Sequence, residues 1–485
     1  MTDDQQAKNS YRQILKYMGL FGSIQGLTIL VGLVRNKLVA VILGPGGMGL
    51  ISLFNSTITL ISNATNLGLP VSSVKNLSEV YEEGESSKLH DMVTTVRTIS
   101  FTTAILGFLV CLIFSTLLDR FTFSWGNHAL HFALLSPAVA MMAITGGETA
   151  ILKSVRQMRP LTQITILHVV VALFTSVPIY WFFGEAGIVP SLVIFFFAQM
   201  VLTCYYTYRL FPPRLRYERR RLLKGLGMIK LGIAFTISGI FTSGAEFLIR
   251  SFLNNHASLL EVGLYNAGFM LTTVYAGMVF TAMETDYYPR LSALNNYPDL
   301  RNQVVNRQIE VTLLTVAPLL IFFTIGLPLI VPLLYSGRFA PIVGMSQIII
   351  LALNLRAMKL PVAYMPLAKG DSFPFLVLEA YSAVLMVVVV CGGFYYYGLP
   401  GAGWGLFITG FVDIIVVYLF TRHRYGYRMS GDVVKYACMQ LPLSLAAFVI
   451  TQCLSGAAYW MLGIAVGLVS LFISFNLLKK KTMGS

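Results

Sequence analysis

The chain has 485 residues, 56% of them hydrophobic and 12% charged, with a formal net charge of +14 and a mean hydropathy of +0.72. That composition excludes a water-soluble globular domain. Apolar runs of about 18 residues or more recur from end to end, each long enough to cross a hydrocarbon core of ~30 Å. The basic excess could indicate nucleic acid in a soluble protein, but here membrane topology accounts for it and no nucleic acid is expected.

The opening MTDDQQAKNS is polar and lacks a small-residue cleavage site, so no removable signal peptide is expected. Fourteen membrane spans are predicted at 14–43, 49–74, 92–118, 129–152, 161–183, 186–208, 226–253, 262–288, 309–334, 340–367, 373–397, 401–421, 432–453 and 456–478. Prolines within them (Pro70, Pro137, Pro178, Pro318, Pro328, Pro361, Pro366) predict bent helices. The charged segment 79–91 reads as a short surface helix or loop. Cys111, Cys204, Cys391, Cys438 and Cys453 all lie in apolar runs without ligand spacing, so buried free thiols are expected, with no disulfide framework and no metal site.

Orientation follows from the basic residues. With the N-terminus inside, the cytoplasmic loops collect Lys8, Arg12 and Lys16, then Lys75, Lys88 and Arg97, then Lys153, Arg156 and Arg159. The central stretch 209–224, which could lie on anionic headgroups, is followed by Arg290, Arg301 and Arg307, by Arg422, Arg424 and Arg428, and by Lys479 to Lys481. Only Arg120 and Arg338 fall in outer loops, so both termini are expected in the cytoplasm. Five basic residues remain at membrane depth: Arg35, Lys37, Arg250, Arg356 and Lys359.

An internal repeat appears at a shift of 214. Gly49-Leu50 matches Gly263-Leu264, Leu77-Ser78 matches Leu291-Ser292, Pro160 matches Pro374, Gly184 matches Gly398 and Gly187 matches Gly401. Arg35 and Arg250 correspond one residue off register. Six spans per repeat is an even number, so the halves share one orientation. The fold class predicted is an all-α polytopic membrane protein. It has an N-lobe at 1–213, a basic linker at 214–221, a C-lobe at 222–424, and a further helix pair with a basic tail at 425–485.

Charge inside a span costs ~2.5–3.5 kcal/mol and marks a protein interior or a wet cavity. Gln25, Thr28, Gly32 and Arg35 share one helix face, as do Asn55, Thr59, Ser62, Asn63 and Asn66. Ser238, Thr242, Glu246, Arg250 and Asn254 form another. Arg35, Arg250, Arg356, Lys359 and Lys37 are the candidates for binding an anionic head group, since guanidinium matches phosphate by two-pronged hydrogen bonds. Against this, Glu246 and Arg250 stand in favourable i, i+4 order and neutralise one another, and Arg35 or Lys37 can snorkel to the surface. Glu148, Glu246, Glu284, Asp286, Glu379 and Asp413 are the acids at depth. A basic partner is expected for Asp413; Asp413, Glu246 and Glu379 are the alternative candidates for H⁺ or Na⁺ coupling. His168 reads as a core histidine, and His128 with His131 lacks the support a metal needs. No phosphate-cradling loop, nucleophile elbow or zinc motif is present. No enzyme, cofactor or catalytic residue is expected.

ILGPGGMGLISLFNS, residues 42–56, resembles the loop between the first two helices of polysaccharide flippases of the multidrug/oligosaccharidyl-lipid/polysaccharide (MOP) exporter superfamily. With the repeat and the extra helix pair, the resemblance covers essentially the whole chain. It is nearest to Wzx-type O-antigen translocases and more remote from lipid II flippases and MATE drug exporters. The resemblance implies a flippase of the bacterial inner membrane, serving lipopolysaccharide or related polysaccharide biosynthesis. It would move undecaprenyl-pyrophosphate-linked oligosaccharide to the outer leaflet by alternating access, with membrane lipids and polysaccharide polymerase or assembly proteins as partners. It also implies a basic residue at the position of Arg35. A MATE-like ion-coupled multidrug antiporter is the alternative.

Overall fold

A computed structural model describes residues 3–124, 126–213, 219–277 and 297–483, with isolated positions between 280 and 294; side chains are described from residue 28 onward, save 29, 158, 219–231 and 481–483. Fourteen α-helices and no strand occur among the described residues. They are α1 (Asp3–Thr65), α2 (Leu69–Glu82), α3 (Ser86–Ile113), α4 (Ser115–Thr122), α5 (Ala129–Ser154), α6 (Met158–Phe183) and α7 (Ile188–Leu210), then α8 (Arg219–His256), α9 (Leu259–Phe269), α10 (Pro298–Leu334), α11 (Ile342–Ala368), α12 (Ser372–Tyr425), α13 (Gly431–Cys453) and α14 (Gly456–Met483). A π-helical segment, Met270–Ala276, continues α9.

The protein is an all-α polytopic membrane protein, and its helix breaks explain how apolar runs become separate spans. Among the described residues ten segments are long and apolar enough to cross a membrane, and three of them, Leu30–Thr65, Arg159–Leu210 and Ser372–Tyr425, contain a break. Each reverses at a glycine: Gly44 at φ 66°, Gly184 at φ 56° and Gly398 at φ 62°. A side chain would be strained at such φ values, whereas glycine adopts them freely. Pro45 then starts the second arm of α1 without needing its missing N–H. The remaining reversal of this kind uses a different device. Ser258 stands where the repeat aligns Gly44, and its Oγ accepts from the Glu261 N–H at 3.4 Å, an Ser-x-x-Glu start to α9.

The chain divides into two units, Met1–Ser243 and Gly244–Ser485. The boundary lies inside α8, later than the expected linker; of that linker, 214–218 lie outside the described residues and 219–221 belong to α8. The first half of α8 therefore belongs with the first unit, where Gly232 meets the turn after α1. A Cβ on Gly68, itself at φ 65°, would sit 2.2 Å from the Gly232 carbonyl oxygen.

Within the first unit, Leu77, Val93, Val96 and Ile151 form the core between α2, α3 and α5. Within the second, Leu291, Val305, Ile309, Leu313 and Met365 do so between α10 and α11. The repeat mates Leu77 and Leu291 are both fully buried. The helix pair α13–α14 packs on α10: Tyr459 Oη donates to the Ile325 carbonyl at 2.7 Å. The aromatic triplet Trp181-Phe182-Phe183 precedes Gly184 just as Tyr395-Tyr396-Tyr397 precedes Gly398, and all six side chains are exposed. Such rings belong at a membrane–water interface.

Several expectations change. The segment 79–91 divides between the end of α2 and the start of α3. Cys111 and Cys391 are buried and Cys204 half-buried, but Cys438 and Cys453 are exposed, because each lies on a face of α13 turned away from the protein. Arg97 and Arg301, counted with the loops, are 5% and 1% exposed: α3 and α10 begin well before the apolar pattern does, which places both inside helices.

Candidate functional site

The basic residues at membrane depth occupy distinct settings in each unit. In the first, Arg35 lies nine residues before the Gly44 break, ~13 Å along the helix. Its Nε donates to Ser176 Oγ of α6 at 2.9 Å, and its guanidinium lies 5.6 Å from the Phe195 ring centre of α7. The His168 ring is tilted against Phe195, with ring centres 4.2 Å apart. Arg35 is half-buried, as is Lys37 two residues on. Neither is sealed in the lobe, and a guanidinium within ~6 Å of an aromatic ring centre is attracted to the ring face.

In the second unit Arg250 is 5% exposed. Its Nη1 donates to Glu246 Oε2 at 2.8 Å and its Nη2 to Asn266 Oδ1 of α9 at 3.2 Å. The one-residue offset between Arg35 and Arg250 in the repeat has a physical consequence. One residue rotates a helical side chain by ~100°, so Arg35 faces α6 and α7 while Arg250 faces α9. The two arginines are not equivalent in space.

Arg356 and Lys359 share α11. Arg356 is half-buried with its guanidinium 5.5 Å from the Phe280 ring centre. Lys359 Nζ meets Asp413 Oδ2 at 2.5 Å, which supplies the basic partner expected for Asp413. Glu379 is half-buried on the first arm of α12. Gln25, Glu284 and Asp286 lie outside the described side chains.

Two charged sites were missed in the sequence. Arg97 of α3 is held in the first unit by Glu148 of α5, with Nε to Oε1 at 2.8 Å and Nη2 to Oε2 at 3.2 Å. Its Nη1 donates to the Phe211 and Pro212 carbonyls past the end of α7, both at 3.0 Å. In the second unit Arg301 Nη2 donates to the Tyr425 carbonyl at 2.8 Å. Phe211 and Tyr425 are repeat mates at a shift of 214, so each unit closes the end of its sixth span with a buried arginine. Glu148 aligns with Val362, and among the described residues no carboxylate pairs with Arg301, whose Nε and Nη1 are buried without a partner. The signal was available for Glu148, since an acid at depth demands a cation nearby.

The Asn/Ser stripe of the second span does reach a cavity. Ser62, Asn63, Asn66 and Thr236 border a space of about 270 Å³ in the first unit, and Asn63 Nδ2 donates to the Gly239 carbonyl at 3.4 Å. This side of the helix is polar because it lines a cavity.

The family model described as "Polysaccharide biosynthesis protein" matches residues 14–295, more than half of the chain. The chain belongs to that polysaccharide biosynthesis family. A search of curated proteins gave no significant match. Among solved structures the fold matches an inward-facing multidrug resistance MATE transporter of the MOP superfamily with a TM-score of 0.68 and 15% identity, over 82% of this chain and 94% of that one. It matches the lipid II flippase MurJ in an inward closed conformation with a TM-score of 0.68 and 14% identity, over 96% and 99%. A MOP transporter from Pyrococcus furiosus, described as having a binding pocket of reverse polarity, matches with a TM-score of 0.59 and 15% identity, over 82% and 93%. These likenesses establish the fold of this polysaccharide biosynthesis family member as that of the MOP transporters.

Proposed function

We propose that this chain is a lipid-linked oligosaccharide flippase. It carries undecaprenyl-pyrophosphate-linked O-antigen or a related repeat unit from the cytoplasmic to the outer leaflet of the bacterial inner membrane by alternating access. The observation that carries the reading is Arg35: a half-buried guanidinium at membrane depth in the first span, positioned by Ser176 and Phe195. A pyrophosphate crossing a low-dielectric region requires cationic hydrogen-bond donors of this kind. We assign direct head-group contact to Arg35, with Lys37 and Arg356 as the further half-buried cations at depth.

Arg250 and Lys359 already hold the carboxylates of Glu246 and Asp413. We therefore assign them roles inside their own unit. Membership of the polysaccharide biosynthesis family supports the substrate class. The polyprenyl tail remains in lipid, so the protein need only bind the polar head. The test is complementation of a strain lacking its O-antigen flippase. The wild type should restore surface polysaccharide, and Arg35→Ala should abolish it at normal expression. Full restoration by Arg35→Ala would overturn the assignment.

A further inference from the structure

Three side chains of the second unit meet at the middle of the span. Lys359 lies ~14 Å from the end of α11, Ser382 ~15 Å from the start of α12 and Asp413 ~18 Å from its end. These three helix ends lie on one side, since α12 follows α11 by a short turn and doubles back at Gly398. A core of ~30 Å therefore places the cluster near its midplane. Asp413 Oδ2 receives both Lys359 Nζ at 2.5 Å and Ser382 Oγ at 2.7 Å. Its other oxygen, Oδ1, is buried and accepts no hydrogen bond. The carboxylate side chain is 5% exposed, the lysine side chain 25%.

A buried carboxylate must be neutralised by a counter-ion or lose its charge. Two carboxylate oxygens and a hydroxyl are hard oxygen donors, the set an alkali cation takes up. The ammonium of Lys359 stands where such a cation would stand and carries the same charge. At a shift of 214 the corresponding residues of the first unit are Thr145, His168 and Gln199, so no carboxylate stands at those three positions.

The geometry points to a monovalent-cation site, formed by Asp413 and Ser382, that Lys359 fills with a tethered ammonium. The second unit accordingly needs no Na⁺ or K⁺ at this carboxylate. Removing the ammonium uncovers a site for either ion. In meaning this rests on the transport reading, but its test reads stability without substrate, so the two fail separately.

The full-length protein, purified in detergent, is unfolded thermally in NaCl, KCl or choline chloride at equal ionic strength. The wild-type midpoint should be the same in all three salts. Lys359→Met should unfold at lower temperature in choline and recover by about 5 °C, saturably, on addition of NaCl or KCl. Adding Asp413→Asn to it should remove the response to alkali ions and restore stability in choline. Lys359→Gln serves in place of Lys359→Met should the latter not be recovered; recovery of a variant only in an alkali salt supports the assignment, and failure of both in every salt overturns it. So does a wild-type midpoint raised by Na⁺ or K⁺ over choline, a folded Lys359→Met indifferent to salt, or a response that survives Asp413→Asn.

Discussion

Glu148→Gln isolates a charge that the first unit cannot hydrate. Arg97 and Glu148 side chains are 5% and 4% exposed, and the guanidinium donates twice to the carboxylate and twice to the backbone beyond α7. Removing one partner of a buried pair costs ~3–5 kcal/mol, because the remaining charge keeps its desolvation penalty. Glutamine retains the shape and one acceptor oxygen, so the lower figure of about 3 kcal/mol applies. In a unit of this size ~1 kcal/mol lowers the midpoint by ~2–4 °C, giving a drop of about 6–12 °C. The double change Arg97→Met with Glu148→Met removes both charges and leaves only the two carbonyls uncapped, at ~1 kcal/mol each. It should therefore be more stable than Glu148→Gln alone. Thermal unfolding of the purified protein, followed by tryptophan fluorescence, measures both. A midpoint for Glu148→Gln within about 2 °C of wild type, or a double variant weaker than the single one, would show that Arg97 carries no desolvation penalty for Glu148 to offset.

Gly68→Ala should cost more than 2 kcal/mol, combining ~1–2 kcal/mol for φ 65° with the clash against Gly232. Gly84→Ala, at φ 75° with open space around it, should cost only the ~1–2 kcal/mol conformational part, and equal midpoints for the two variants would contradict the contact. Arg301→Met should be neutral or stabilising in the same thermal measurement, since the guanidinium is buried with Nε and Nη1 unpartnered and an apolar side chain of similar length suits the site. His128, in the loop before α5, has its pKa lowered by burial and by His131, partly offset by Asp119. Its neutral form is the folded one, so its contribution to stability is present above ~pH 6.5 and is lost as pH falls below that value. His128→Asn should flatten the fall in midpoint between about pH 6.5 and pH 5.

Within the described residues, which leave out much of 278–288 in the eighth predicted span, the spans were legible because length and hydropathy decide them, and the breaks because Gly44, Gly184 and Gly398 interrupt apolar runs beside Pro45, Gly187 and Pro400. The repeat was legible in the same residues, and the exposed triplets 181–183 and 395–397 extend it. Three things were not legible. Helix α3 starts at Ser86, in a polar sequence, so Arg97 looked like a loop residue and its pairing with Glu148 was hidden. The rotation separating Arg35 from Arg250 depends on a single-residue offset, which a sequence comparison treats as a near match. Where α8 divides between units depends on Gly232 meeting Gly68, a contact far apart in the chain with no periodic signature. The polar stripe of Ser62, Asn63 and Asn66 was legible as a wet face, but its cavity also needs Thr236 from that same distant helix.

On the proposed function, Arg35 handles an anionic head group during passage across the membrane. The most direct measurement is flipping of a fluorescent polyprenyl-pyrophosphate oligosaccharide in proteoliposomes, comparing wild type with Arg35→Ala. Loss of a charge-assisted pair of hydrogen bonds, worth ~1.5–3 kcal/mol, corresponds to a slowing of about tenfold or more. The wild type should flip the lipid, and the variant should show that loss. Equal rates for the two proteins, or a wild type that leaves the lipid in place and exports a cationic dye instead, would contradict it.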